Sequence, residues 1–228
     1  MISHKYKTLF VHIPKVAGQS IENVFLKDLG LNWKTRKPLL LMPNDQPENG
    51  PPRLAHLTAE EYTKYHYLSE ELFNDYFKFS FVRNPWDRAV SFYKYLYYVK
   101  GVKFEVFAKE ILPKLVNEND FFYKPQYDYI YKDGKLCVDF IGRFENLNED
   151  FLKILKKLNL TNLELKHHNK SKVNQGRNSR NLSKIIKIFK GTVKNPIYTS
   201  YREYFDQESV DIISKLYQKD IECFQYSF

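Results

Sequence analysis

Three short groups of residues in this chain are of types that could handle a negatively charged ligand. The first is Pro14-Lys15-Val16-Ala17-Gly18-Gln19-Ser20, a tight loop of small residues carrying one lysine. It follows a strand-type apolar run, Thr8–Ile13, and precedes Ile21, Val24, Phe25 and Leu29, which recur at helical spacing up to Gly30. Strand, loop and helix in that order make a phosphate cradle. The first amides of a helix lack internal partners, and the helix dipole is positive there. Gly18 permits close backbone approach, the loop amides of Ala17, Gly18, Gln19 and Ser20 are expected to point along the start of the helix, and Lys15 adds a charge able to reach a bound anion. The loop is not a Walker A motif, which places its lysine directly after the second glycine and before a hydroxyl residue. Here Lys15 precedes Gly18 and the hydroxyl belongs to Ser20. An ordinary strand-to-helix turn with a solvated lysine has the same residue types.

The second group is Phe77–Val82 followed by Arg83-Asn84-Pro85. The apolar run reads as a strand, and Pro85 cannot continue it but suits a first helical turn. Arg83 therefore sits at the carboxyl end of a strand, and Ser91 about two turns into the next helix. Two strand–loop–helix units, each ending in a basic residue, suit a ligand with two separate anionic groups.

The third group surrounds His56. Thr58 and Glu61 have the spacing of a capping box, so a helix is expected from Thr58, with His56 just before its N-terminus. A neutral imidazole there can serve as a base, because the dipole disfavours its protonated form. A structural histidine bonding the backbone of the 32–53 loop fits the same position, and Glu60 or Glu61 would then be the next candidates for a base.

The elements that must position these residues follow from the pattern between them. Asn32–Arg53 holds Pro38, Pro43, Pro47, Pro51 and Pro52 and reads as a long loop, a lid or a substrate wall. Ser69 starts a short helix. The helix from Pro85 is expected to run to about Val99, with Ala89, Phe92, Tyr93, Leu96 and Tyr97 as an apolar stripe. A further helix spans 104–116, disturbed at Pro113. Cys137–Gly142 is a third strand candidate, ending at Arg143-Phe144-Glu145-Asn146, and Asn148 can cap a helix bearing Phe151, Ile154, Leu155 and Leu158 on one face. A last helix starts near Asp206 and buries Val210, Ile213, Leu216 and Tyr217, with the sheet as its expected partner. The alternation implies a three-layer, P-loop-like α/β fold, a central parallel sheet flanked by helices, with ligands at the carboxyl ends of the strands.

With 228 residues the chain reads as a single domain over 1–228, able to bury a sizeable core. Eighteen Tyr and eighteen Phe argue against disorder. The net charge is +9, and the segment 166–194 holds nine Lys/Arg and no Asp/Glu, so the whole excess lies there. Such a segment either attracts polyanions or is a solvated face. Within it, 167–181 reads as a mobile basic loop containing Arg177 and Arg180, and the adjacent His167 and His168 have no carboxylate or cysteine company for a metal. Cys137 and Cys223 make neither a disulfide framework nor a metal site and are expected reduced and buried. No window approaches the ~20 apolar residues of a membrane span. Residues 1–10 lack the apolar region of a signal peptide, so a cytoplasmic protein is expected.

FVHIPKVAGQSIE and FVRNPWDRAVSFY together resemble the two cofactor motifs of the PAPS-dependent sulfotransferases, the 5′-phosphosulfate loop and the 3′-phosphate motif. AHLTAEEY at 55–62, PQYDYI at 125–130, VDFIGRFENLNEDF at 138–151 and the tail from Tyr201 are similar to the branch containing carbohydrate O-sulfotransferases. The resemblance implies sulfuryl transfer from PAPS to an acceptor hydroxyl of a glycan or small molecule, with 3′,5′-ADP as product and no metal. It implies that Lys15 and the 17–20 amides stabilise the leaving oxygen, that Arg83 and Ser91 hold the 3′-phosphate, and that His56 is the base. It also implies that Phe144 lies near the adenine, although core packing fits Phe144 as well. Many eukaryotic relatives in this family are anchored in the Golgi; no such anchor is read in this sequence, so a soluble, bacterial-type form is expected. Two other classes compete. A P-loop kinase or NTPase should carry Gly-Lys-Ser/Thr and a strand-end aspartate for Mg²⁺; the first is absent and Asp139 is expected mid-strand. A nucleic-acid-binding module would use the 166–194 charge and leave both loop motifs unexplained.

Overall fold

The computed structural model describes residues 1–98, 101–165 and 198–228. These form two compact units, one from Met1–Arg83 with 124–165, the other from Asn84–Tyr123 with 198–228. The first unit opens with β1 (Ile2–Ser3), β2 (Thr8–Val11) and α1 (Gly18–Asp28), then α2 (Glu61–Lys64), α3 (Glu70–Asp75) and β3 (Phe77–Val82). The second begins with α4 (Pro85–Leu96), α5 (Phe104–Val106), a π-helical segment at Phe107–Ile111 and α6 (Leu112–Asn117). The chain then returns to the first for α7 (Tyr127–Ile130), the hairpin β4–β5 (Tyr131–Lys132, Lys135–Leu136), β6 (Phe140–Arg143) and α8 (Leu147–Lys157). The tail supplies α9 (Gln207–Leu216) and α10 (Gln218–Phe224) to the second unit.

The fold is α/β, with a central, mostly parallel sheet of order β1-β2-β3-β6 flanked by helices. β2, β3 and β6 are parallel, with Phe10 opposite Phe79 and Phe79 opposite Phe140. β1 is antiparallel to β2, because the turn between them is too short for a crossover. One face of the sheet is aromatic: Phe10 stacks on Phe79 at 4.9 Å, Phe79 on Phe25 of α1 at 6.4 Å, and Phe25 meets Phe151 of α8 at 6.4 Å. Edge and offset contacts of this kind add to the burial of large rings.

The third strand begins later than Cys137–Gly142. The Asp139 amide donates to the Lys78 carbonyl at 2.7 Å, and its carboxylate accepts from the Lys78 amide at 2.7 Å. The side chain thus takes a ladder position, and regular pairing starts only at Phe140. Asp139 is not mid-strand. α8 begins at Leu147 with Asn146 rather than Asn148 as its N-cap. α4 ends at Leu96 instead of near Val99, because Gly101, at φ 72°, and Val102 turn back onto Tyr98 and Tyr97. The disturbance at Pro113 takes the form of the π-helical segment just before α6: proline has no N–H to donate, and the ladder widens ahead of it. Ser69 caps α3 as expected, accepting from the Leu72 amide.

In the second unit α9 packs against α4 and the π-helical segment, where the sequence had suggested the sheet. Phe92, Tyr93, Phe107, Ile213 and Tyr217 are buried together there. Cys137 is half-buried and Cys223 exposed, against expectation; the buried positions of α10 are Asp220 and Phe224, and Cys223 lies off that stripe. Among the described residues no helix is long and apolar enough to cross a membrane.

Candidate active site

Three parallel strands end side by side and deliver three of the expected residues. β2 runs into His12-Ile13-Pro14-Lys15, β3 into Arg83, and β6 into Phe144. The Arg83 guanidinium lies 3.9 Å from the centroid of the Phe144 ring, and its Nη1 donates to the Lys15 carbonyl at 3.1 Å. The two loop motifs therefore touch. Phe144 packs on the arginine, a contact in which the ring face offers negative potential to the cation.

The loop itself is tightly wound. Lys15 and Ala17 both take left-handed backbone conformations, at φ 73° and 66°. Each costs a non-glycine residue on the order of 1–2 kcal/mol. α1 starts at Gly18 with Ala17 as N-cap, no side chain caps it, and no acidic residue lies in its first turn. Its positive end is not offset by any carboxylate of its own, the condition an anion site needs. Gln19 is exposed and Ser20 half-buried at this end, and the Ser20 amide donates to the Ala17 carbonyl at 2.9 Å, so it does not face an anion as expected: the first turn closes on itself. The reason for glycine at 18 differs from the one expected. A Cβ there would lie 1.9 Å from Nε2 of His12, so the close approach is between the helix start and a buried imidazole. Lys15 is half-buried, and burial, followed by the charge of Arg83, pushes its ammonium down to about 7.

His56 is buried and donates from Nδ1 to the carbonyl of His12 at 2.8 Å. A carbonyl only accepts, so Nδ1 carries the proton and Nε2 of the neutral ring holds a lone pair. Burial, then the neighbouring His12, hold the imidazole well below its usual value. The neutral form is thus favoured, but not by a helix end as the sequence suggested. Thr58 and Glu61 do make the reciprocal bonds of a capping box, at 2.8 and 3.3 Å, yet α2 begins only at Glu61 and is four residues long. So short a helix has little dipole, and desolvation takes its place. The Glu60 carboxylate pairs with Lys132 at 2.9 Å, and that of Glu61 accepts from the Thr58 amide, so both alternative bases are engaged elsewhere.

Two residues of this cluster escaped the sequence reading. His12 and Glu22 are both buried, and Nδ1 of His12 donates to the Glu22 carboxylate at 2.6 Å. The His12 ring stands 4.4 Å from that of His56. The available signal was Glu22 itself, which falls between Ile21 and Phe25 on the buried stripe of α1, where a carboxylate requires a partner. The 32–53 segment is a folded loop: Pro43 bridges Arg53, and the Asn44 carboxamide donates to the Gln46 and Gly50 carbonyls at 2.8 and 2.9 Å. Ser91 lies on α4 in the second unit, half-buried. His167, His168, Arg177, Arg180 and the basic segment lie outside the described residues. Among the described residues no three His, Cys, Asp or Glu side chains are grouped to hold a metal ion.

Comparison with known proteins bears on this arrangement. An uncharacterized protein of Archaeoglobus fulgidus is 38% identical over 96 residues, 41% of this chain and 76% of that protein. Carbohydrate sulfotransferase 10 of Danio rerio is 34% identical over 121 residues, 51% of this chain and 30% of its own length. The Xenopus laevis protein of the same name is 29% identical over 118 residues, 51% of this chain and 31% of its own. The matched stretch thus spans about a third of the two carbohydrate sulfotransferases. The crystal structure of mouse sulfotransferase SULT7A1 complexed with PAP aligns over 99% of this chain and 91% of that one, at 17% identity and a TM-score of 0.48. A sulfotransferase family model matches residues 1–227, and the chain belongs to the sulfotransferase family.

Proposed function

We propose that this chain transfers a sulfuryl group from PAPS to an acceptor hydroxyl. The observation that carries the reading is the contact of two cationic motifs, Arg83 on Lys15, across the ends of adjacent parallel strands. Two cations and an open helix start suit a nucleotide with separate 5′ and 3′ anionic groups. When bound, PAPS supplies the activated sulfuryl group; everything else is the work of this chain. Lys15 and the amides of Ala17, Gly18 and Gln19 stabilise the negative charge that develops on the leaving oxygen. Arg83 holds the 3′-phosphate, the group that separates PAPS from ATP. Nε2 of His56 takes the proton of the acceptor hydroxyl, its Nδ1 proton being held by the His12 carbonyl. Catalysis of this kind is mainly positioning and charge stabilisation.

A sugar hydroxyl is the proposed acceptor. Its support is the name of the two relatives that match about half of this chain. The test incubates the purified chain with PAPS and a panel of glycans and small alcohols, following product mass and 3′,5′-ADP release. The expected result is one sulfated product per 3′,5′-ADP. A phosphorylated product from ATP, with no turnover of PAPS, would replace this reading with a phosphotransferase.

A further inference from the structure

Gln126 opens the stretch Gln126-Tyr127-Asp128-Tyr129-Ile130, which the function above leaves without a role. Its side chain is fully buried. Its Oε1 accepts from the Arg83 amide at 2.8 Å, and its Nε2 donates to the Arg83 carbonyl at 2.8 Å. The paired register of β3 and β6 ends at Val82 opposite Arg143. The carboxamide therefore supplies one more rung, at the first residue beyond the ladder.

Two further facts give this rung a purpose. The chain leaves the first unit after Arg83 and re-enters it at Lys124, so Gln126 ties the exit to the re-entry. The same stretch also reaches the segment of His56, since the Ala59 amide donates to the Tyr129 carbonyl at 2.7 Å. A single short segment thus bonds to the main chain beside both His56 and Arg83. Only a carboxamide of this length both donates and accepts here: methionine donates nothing and accepts only weakly, and asparagine falls a methylene short.

We propose that Gln126 is a positioning residue for recognition of the 3′-phosphate: it fixes the main chain of Arg83 so that the guanidinium stays between the Lys15 carbonyl and Phe144. The inference rests on the reading of Arg83 given above. Arg83 makes the contact with the nucleotide, and Gln126 decides how far its side chain can stray from that contact.

The experiment measures dissociation constants of 3′,5′-ADP and 5′-AMP by calorimetry, with thermal midpoints, for wild type, Gln126→Met and Gln126→Asn. Wild type should prefer 3′,5′-ADP. Gln126→Met should lose about tenfold of that preference, the scale of a lost hydrogen bond to a positioning group, while 5′-AMP binding stays within about twofold. Gln126→Asn serves where the methionine variant does not fold, and should lose at least about threefold. An unchanged preference in the variants, or equal loss for both nucleotides, overturns the role of Gln126 alone. A wild-type preference near one overturns the reading of Arg83 and this inference with it. A fall in thermal midpoint without a change in preference assigns Gln126 to structure and also overturns it.

Discussion

The two units bury polar groups to different ends. In the second unit the buried tyrosines hand their hydroxyls to carbonyls: Tyr93 to Val102 at 2.8 Å, Tyr217 to Tyr123 at 2.9 Å. Burial pushes Tyr97 up to about 12 and holds Tyr123 and Tyr217 above the usual phenol value. These groups are neutral at pH 7 in water, so burial only confirms the state they already hold. In the first unit the same desolvation acts on Lys15 and His56, whose charged forms it opposes. It brings the lysine to about 7 and keeps the histidine unprotonated. One physical effect therefore leaves the phenols of one unit in their usual state and shifts the protonation of two candidate site residues in the other, according to whether the buried group is an acid or a base.

The most severe way to break the contrast is at the proposed base. His56→Ala should lower kcat by about 10²–10⁴, the scale of general base catalysis, and leave 3′,5′-ADP binding intact. Wild-type kcat/KM should rise with pH through an apparent pKa below the reference ~6.5, since the neutral form is the active one, and the variant should lose that limb. A variant within tenfold of wild type would remove His56 from the chemistry.

The second unit should answer differently. Phe107 is fully buried among Tyr93, Tyr97 and Phe104. Phe107→Ala should cost about 3–5 kcal/mol of stability in denaturant titration. The turnover per folded molecule should hold. A loss of turnover beyond the loss of folded protein would mean this core reaches the chemistry.

Arg83→Ala should weaken 3′,5′-ADP binding by about 2–3 kcal/mol, a lost charge-assisted hydrogen bond, and spare 5′-AMP. Equal loss for both would make Arg83 structural.

The smallest effect concerns Lys15. In the free protein its ammonium titrates at about 7. A bound anion favours the charged form and raises that value, so binding takes up a proton above pH 7 and none well below it. Affinity for 3′,5′-ADP should therefore be flat at acid pH and weaken through neutrality by at most ~10-fold per pH unit. Calorimetry in two buffers of different ionisation heat reads the proton uptake directly. A pH-independent affinity would mean that Lys15 is charged before the ligand arrives.

Much of this layout is legible in the residue order. Periodicity alone places β2, α1, β3 and α4, and the strand-end positions of Lys15 and Arg83 follow from the prolines and glycines that stop each run. What periodicity cannot show is which side chains meet once strands pair. His12 and Glu22 are ten residues apart, and only the fold of α1 back along β2 joins them. Gln126 finds Arg83 through a chain excursion of some forty residues into the other unit. Asp139 looks like a strand residue because its neighbours are apolar, yet its carboxylate replaces the backbone in the ladder. The left-handed φ at Lys15 and Ala17 is likewise hidden, since neither residue type announces it.

That last feature has a consequence for binding kinetics and entropy. Two non-glycine residues held left-handed mean that the loop's freedom is given up when the chain folds. An anion reaching α1 meets a loop already shaped, and its affinity is not reduced by the free energy of ordering a floppy segment. The strain belongs to the folded protein and not to the complex, so a ligand at this loop can leave and return without the backbone having to search again.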